Sequence, residues 1–233
     1  MQRAGATLGV PTKPSEASES YETVAPFYDA LARIYSGGAI GASREWVAAQ
    51  LTADDRVLFA GCGSGRDALQ AVQRGACVTL VDSSPAMLWR ARGEFLTNGL
   101  QAEILCADIL DMPGEGEYDA VVASFFLNVF DEVALKDVLS RLLSHLRPHG
   151  RLIIADFAAL HSARWVWAQQ LYHDLPMHLF HRLTGSAIHP VHDYRSTLAQ
   201  MQAKIVLSAT CRLFSCGPAW IEGIVATEAE VVL

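Results

Sequence analysis

Residues 56–69 read Arg56-Val57-Leu58-Phe59-Ala60-Gly61-Cys62-Gly63-Ser64-Gly65-Arg66-Asp67-Ala68-Leu69, and this stretch decides the fold. An apolar run meets three alternating glycines, and helical spacing begins at Arg66. A strand that turns on glycines into a helix opens a βαβ unit, where backbone can approach a ligand closely. Three ligand readings compete, beside a tight turn with no ligand at all. A phosphate-cradling loop ends in Gly-Lys-Ser/Thr, which Gly65-Arg66-Asp67 does not supply. A dinucleotide fingerprint spaces its glycines G-x-G-x-x-G; here the spacing is G-x-G-x-G, and the long side chain of Arg66 would crowd a pyrophosphate. An adenosyl ligand without phosphates needs the turn but no anion cradle.

Outward from this loop, short apolar runs alternate with helical stretches, the pattern of a parallel α/β sheet. Cys77–Val81 is a second strand ending at Asp82, and Ser84-Pro85 supplies an N-cap with proline at the first helical position. Glu103–Cys106 and Asp119–Ala123 are the third and fourth strands. A helix is expected over 132–146, stopped by Arg147-Pro148-His149-Gly150, with a fifth strand over Arg151–Asp156. Two further strands, about 204–214 and 219–227, close the chain as a hairpin around Cys216-Gly217-Pro218. The aromatic stretch 162–183 is expected to be helical. No repeat or linker marks a second domain.

The chain has 233 residues and a formal net charge of −7, with 51% apolar and 18% charged residues. Mean hydropathy is +0.20. One large domain fits that length, and the apolar fraction excludes a disordered chain. An acidic balance without a basic stripe argues against nucleic-acid binding. No apolar run is long enough to span a membrane. Residues 1–20 read as a loose tail without the apolar core of a signal peptide. Five cysteines, an odd and scattered set, point to reduced thiols in the cytoplasm.

Asp82 lies 21 residues after Gly61, where a carboxylate can accept both hydroxyls of a ribose. Asp108 ends the third strand and can accept from an adenine amino group. Each aspartate alone could be a helix cap or a turn residue. Together with the glycine loop they fall at the carboxyl ends of successive strands, where open α/β sheets bind ligands.

Residues 57–69, Val81-Asp82-Ser83-Ser84-Pro85-Ala86-Met87-Leu88, Ala107-Asp108 and Leu146-Arg147-Pro148-His149-Gly150-Arg151-Leu152 resemble the class I S-adenosylmethionine-dependent methyltransferases. Tyr21 to Asp29 is similar to the N-terminal helix of the ubiquinone/menaquinone C-methyltransferase and phospholipid N-methyltransferase branches. The resemblance covers about residues 21–227. It implies a Rossmann-like class I methyltransferase fold: a seven-stranded, mostly parallel sheet with a reversed C-terminal hairpin and helices on both faces. Within a single domain over 21–233 it implies an N-terminal helical cap (about 21–50) and a substrate lid (about 160–200). It implies S-adenosyl-L-methionine as cofactor, with Gly61, Gly63 and Gly65 at its methionine end, Asp82 at the ribose, Asp108, Ile109 and Met87 around the adenine, and Ser83 among the residues that bind it. Tyr21, Ser124 and Phe125 join the cofactor set by the same resemblance. Phe59 departs from the family, which usually has Asp or Glu there to hold the methionine amino group.

Methyl transfer from a sulfonium needs alignment and exclusion of water more than it needs a base. Aromatic faces stabilise the transferable cation, and Tyr28 and Tyr172 are candidates, with Phe27, Phe126, Trp165 and Trp167 nearby in the expected cleft. Asn128 is the best polar candidate: its amide can orient a nucleophile, or it can merely cap a helix. Six histidines lie in 161–192, and His178 and His181 share a helical face with Asp174 one turn before; we read them as the polar edge of a lid, with no metal site. The leading expectation is methyl transfer to a small, fairly apolar acceptor by a monomer or homodimer, with peripheral membrane contact if the acceptor is a phospholipid. A second keeps the cofactor and changes the reaction: its amine, left dry by Phe59, attacks its own γ-carbon to give azetidine-2-carboxylate and methylthioadenosine, as in the azetidine-forming branch of the superfamily. A third is a cofactor-binding sensor without turnover.

Overall fold

A computed structural model describes residues 38–159, 191–212 and 219–228. Its elements are α1 (Ala39–Ala49), β1 (Arg56–Ala60), α2 (Arg66–Gln73), β2 (Cys77–Asp82), α3 (Pro85–Thr97), β3 (Glu103–Cys106), β4 (Tyr118–Ser124), a 3₁₀ turn (Leu127–Val129), α4 (Glu132–Ser144), β5 (Leu146–Phe157), α5 (Tyr194–Gln200), β6 (Lys204–Arg212) and β7 (Ala219–Thr227). The strands form one seven-stranded sheet in the order β3-β2-β1-β4-β5-β7-β6. β1 to β5 are parallel, and β7 enters antiparallel between β5 and β6.

Alternation along β1 divides the interior into two layers. Val57 and Phe59 point toward α1, α2 and α3, where Val47, Ala68, Ala71, Ala91 and Phe95 are buried. Leu58 and Ala60 point to the other face, onto Leu135, Leu139 and Leu142 of α4 and Tyr194 and Leu198 of α5. Helices therefore cover both faces, as expected for a mainly parallel sheet. Ser84 caps α3 as expected: its hydroxyl accepts from the Met87 N–H at 3.4 Å, with proline at the helix start.

Two boundaries differ from the sequence expectation. Leu146 already pairs with Tyr118, and the ladder resumes only at Arg151 opposite Ala120, so Arg147–Gly150 bulges out of β5 instead of preceding it. Pro148 has no N–H to give a ladder, and a bulge is where a strand tolerates it. The second concerns the C-terminal end of the expected lid. α5 is part of the main core, with Tyr194 and Leu198 both buried.

The packing of α1 on β7 gives a sharp expectation. A Cβ at Gly223 would lie 2.5 Å from the Trp46 ring. Gly223→Ala should therefore lower the unfolding free energy by about 2 kcal/mol, as overpacking of a filled site does. Denaturant titration with Trp46→Leu as the relieving second change checks this.

Candidate active site

The glycine loop is stitched to its neighbours by backbone and carboxylate. Cys62 N–H donates to the Val81 carbonyl at 3.0 Å, and Ala107 N–H donates to the Asp82 carbonyl at 3.2 Å. Between them, the Asp82 carboxylate takes Gly63 N–H on Oδ2 and Ser84 N–H on Oδ1, each at 2.8 Å. The ends of β1, β2 and β3 are thus drawn to one edge of the sheet, with half-buried Asp82 at the centre. Asp108 is exposed on the turn after β3, where its Oδ1 accepts Leu110 N–H at 2.9 Å. Ser83 is exposed and Met87 half-buried at the start of α3.

The three glycines have three different surroundings. All adopt positive φ: 60° at Gly61, 52° at Gly63 and 73° at Gly65. A Cβ at Gly65 would press on Ala91 at 3.0 Å, so this glycine lets α2 and α3 meet. A Cβ at Gly61 would fall 1.9 Å from the Phe126 ring, which lies across the loop. At Gly63 a Cβ would meet nothing within 4 Å, and its N–H is already turned to Asp82. Gly63 is therefore where a ligand's close approach fits. Arg66 turns away to Glu94 of α3 at 2.8 Å, although its length alone suggested crowding of the loop.

Two expected cofactor residues are buried on opposite faces of the sheet. Phe59 is 2% exposed and belongs to the layer against α1 to α3; every second residue of β1 must face that layer. Ile109, 4% exposed, packs into the opposite layer with Ala60 and Val81. Burial first, then the Asp82 charge, push the Cys62 thiol pKa up and disfavour its thiolate.

After β4 the chain makes a tight turn. The Ser124 hydroxyl is buried without a partner among the described residues. Phe125 has φ of +50°, meets Phe157 edge-on at 5.6 Å between centroids, and packs against the cluster of Ala39, Trp220 and Ile221. Its neighbour Phe126 is the residue that covers Gly61. Nothing in a Phe-Phe pair tells which ring goes where, so sequence reasoning could not choose between them. Asn128 is half-buried, and its Nδ2 donates to Asp156 Oδ1 at 2.7 Å. Tyr21, Tyr28, Phe27, Trp165, Trp167, Tyr172 and the histidines from His161 to His189 lie outside the described residues, as do the tail 1–20 and most of the expected lid.

The family model described as "Methyltransferase domain" matches residues 57–150. Demethylmenaquinone methyltransferase of Deinococcus radiodurans is 30% identical over 70% of this chain and 70% of its own length. The chain belongs to the class I S-adenosylmethionine-dependent methyltransferases. A second demethylmenaquinone methyltransferase, from Thermus thermophilus, is 35% identical over 59% of this chain, a match that spans only 64% of the relative's own length. The fold is shared with Burkholderia thailandensis 1,6-didemethyltoxoflavin-N1-methyltransferase, solved with S-adenosylhomocysteine bound, at a TM-score of 0.63 and 18% identity, covering 94% and 93% of the two chains. Among the described residues no helix is long and apolar enough to cross a membrane.

Proposed function

We propose that the chain transfers the methyl group of S-adenosylmethionine to a small, fairly apolar acceptor by in-line displacement. The observation that carries this reading is the Asp82 carboxylate bound to the Gly63 N–H, at the glycine with space for a ligand. Each Asp82 oxygen keeps a lone pair beyond its backbone bond, enough for the two hydroxyls of a ribose. Asp108, on the turn tied to β2 through Ala107, would accept from the adenine amino group, with Met87 and Ser83 alongside. The cofactor supplies an electrophilic methyl on a positively charged sulfur; the protein's part is to align the acceptor with it and keep water out.

Asn128 has the place of an orienting group. Its amide N–H₂ is committed to Asp156, which leaves its Oδ1 as the acceptor for a substrate hydroxyl. A neutral amide is no base, so the reaction needs an acceptor that is nucleophilic once positioned. The two quinone-methylating relatives favour a prenylated aromatic acceptor. We further place the chain in the cytoplasm, as a monomer or homodimer without a nucleic-acid partner. The acidic charge and the odd cysteine count support this.

Demethylmenaquinol with S-adenosylmethionine is the first assay. S-adenosylhomocysteine should appear only when an acceptor is added, and tight cofactor binding without product across quinol and phenol panels would refute methyl transfer. Methylthioadenosine from cofactor alone would favour cyclisation instead. That reading relies on Phe59 as a dry wall beside the amine, and the methyltransferase relatives give it no support.

A further inference from the structure

Beside the cofactor residues lies a buried carboxylate with an unusual set of partners. Asp156, near the end of β5, is fully buried. Its Oδ1 accepts from Asn128 Nδ2 at 2.7 Å and from Phe157 N–H at 2.8 Å; its Oδ2 accepts from Asn128 N–H at 3.2 Å. The adjacent residues grip the same turn. The Ala155 carbonyl accepts Phe125 N–H at 2.9 Å, and the Phe157 ring meets Phe125. Three successive residues of β5 thus hold Phe125–Asn128, a turn that contains a non-glycine residue at positive φ and carries Phe126 onto Gly61.

We propose that Asp156 is a positioning residue whose ionised carboxylate clamps the turn after β4, keeping Phe126 seated on Gly61 and the glycine loop in the shape that binds cofactor. This inference rests on the methyltransferase reading of the loop. Asn128 is the only residue of the turn to give Asp156 two hydrogen bonds among the described contacts, so the amide is the handle through which the carboxylate acts. A charged acceptor makes such bonds stronger than a neutral one would.

The charge is held against an opposing environment. Burial raises the Asp156 pKa to about 6, and the bonds from Asn128 and Phe157 only partly offset it. Other titratable groups face it from two elements. Glu222 sits opposite on β7 and is paired with Arg195 of α5 at 2.5 Å. The buried Tyr194 hydroxyl, also on α5, approaches the carboxylate without forming a well-shaped hydrogen bond, and the His192 ring lies 5.9 Å from the Tyr194 ring.

Protonation removes the charged acceptor, so cofactor affinity should rise with pH through about 6 and level off above about 7. Stability runs the other way. A carboxyl whose folded pKa lies above its unfolded value near 4 favours the folded state most at low pH, a contribution lost as pH rises through about 6.

S-adenosylhomocysteine titrated calorimetrically between pH 5 and 8 tests the clamp. Wild type should bind about tenfold more weakly at pH 5 than at pH 7.5, since one unit below the pKa leaves about a tenth of the carboxylate ionised. Asn128→Ala should bring the pH 7.5 affinity down about tenfold and flatten the profile; Asp156→Asn, checked for folding by near-ultraviolet circular dichroism, should flatten it too. Wild-type affinity and profile in Asn128→Ala, or a flat wild-type profile, overturn the proposal. Wild-type protein that gives no binding heat at any pH overturns the methyltransferase reading itself, and the clamp with it.

Discussion

Asp82→Ala should weaken S-adenosylhomocysteine binding about a hundredfold, read by calorimetry at neutral pH. The carboxylate is asked to do two things at once. It shapes the loop by accepting Gly63 and Ser84 N–H groups, and its remaining lone pairs are the ribose acceptors proposed above. Hydrogen bonds to a charged group are worth about 2 kcal/mol each, so two ribose bonds lost alone exceed a hundredfold before water compensates. Unfolding free energy should fall by about 2 kcal/mol as well, because two backbone donors lose their partner. Asp82→Asn separates the effects: its carbonyl oxygen can keep one loop bond, so stability should recover more than affinity. Equal recovery of both would mean that Asp82 acts only on the loop.

Gly61→Ala is expected to be the most damaging single methyl in the site. The new Cβ would overlap the Phe126 ring at 1.9 Å, on a backbone at φ +60° that L-residues avoid. Left-handed backbone costs about 1 kcal/mol and overpacking about 2 kcal/mol. Thermal unfolding should show a loss of about 3 kcal/mol and, once the turn is displaced, of cofactor binding too. Phe126→Ala in the same chain should return the overpacking share and leave the backbone share. If the double variant is as unstable as the two single losses added, the ring does not lie over Gly61.

Much of this architecture was readable because strand ends are chemically marked. Asp82 closes an apolar run, Ser84-Pro85 starts a helix by capping chemistry that needs no distant partner, and Ala219–Thr227 carries the apolar run that β5 takes as its neighbour. Where neighbours decide, sequence was mute. The Leu146–Gly150 stretch looks like a helix stop, yet Leu146 is drawn into the sheet by Tyr118. Asn128 was visible as a polar residue in an apolar turn, but its tie to Asp156 spans 28 residues. A signal did exist: Asp156 ends Ile153-Ile154-Ala155 as Asp82 ends Thr79-Leu80-Val81. An ionisable residue closing a buried strand must find partners, and the same question asked of Asp82 applied to Asp156.

The position of β7 bears on how the chain is made. It is the last strand in chain order among the described residues, yet it lies between β5 and β6. On a ribosome, β1 to β5 emerge first and can associate while the outer flank of β5, from Leu152 to Phe157, still exposes unmet amides and carbonyls. That open flank invites pairing with another nascent chain until residues 219–227 arrive. Slower translation before this segment should therefore lower the yield of native protein, and a holdase that shields β5 should restore it.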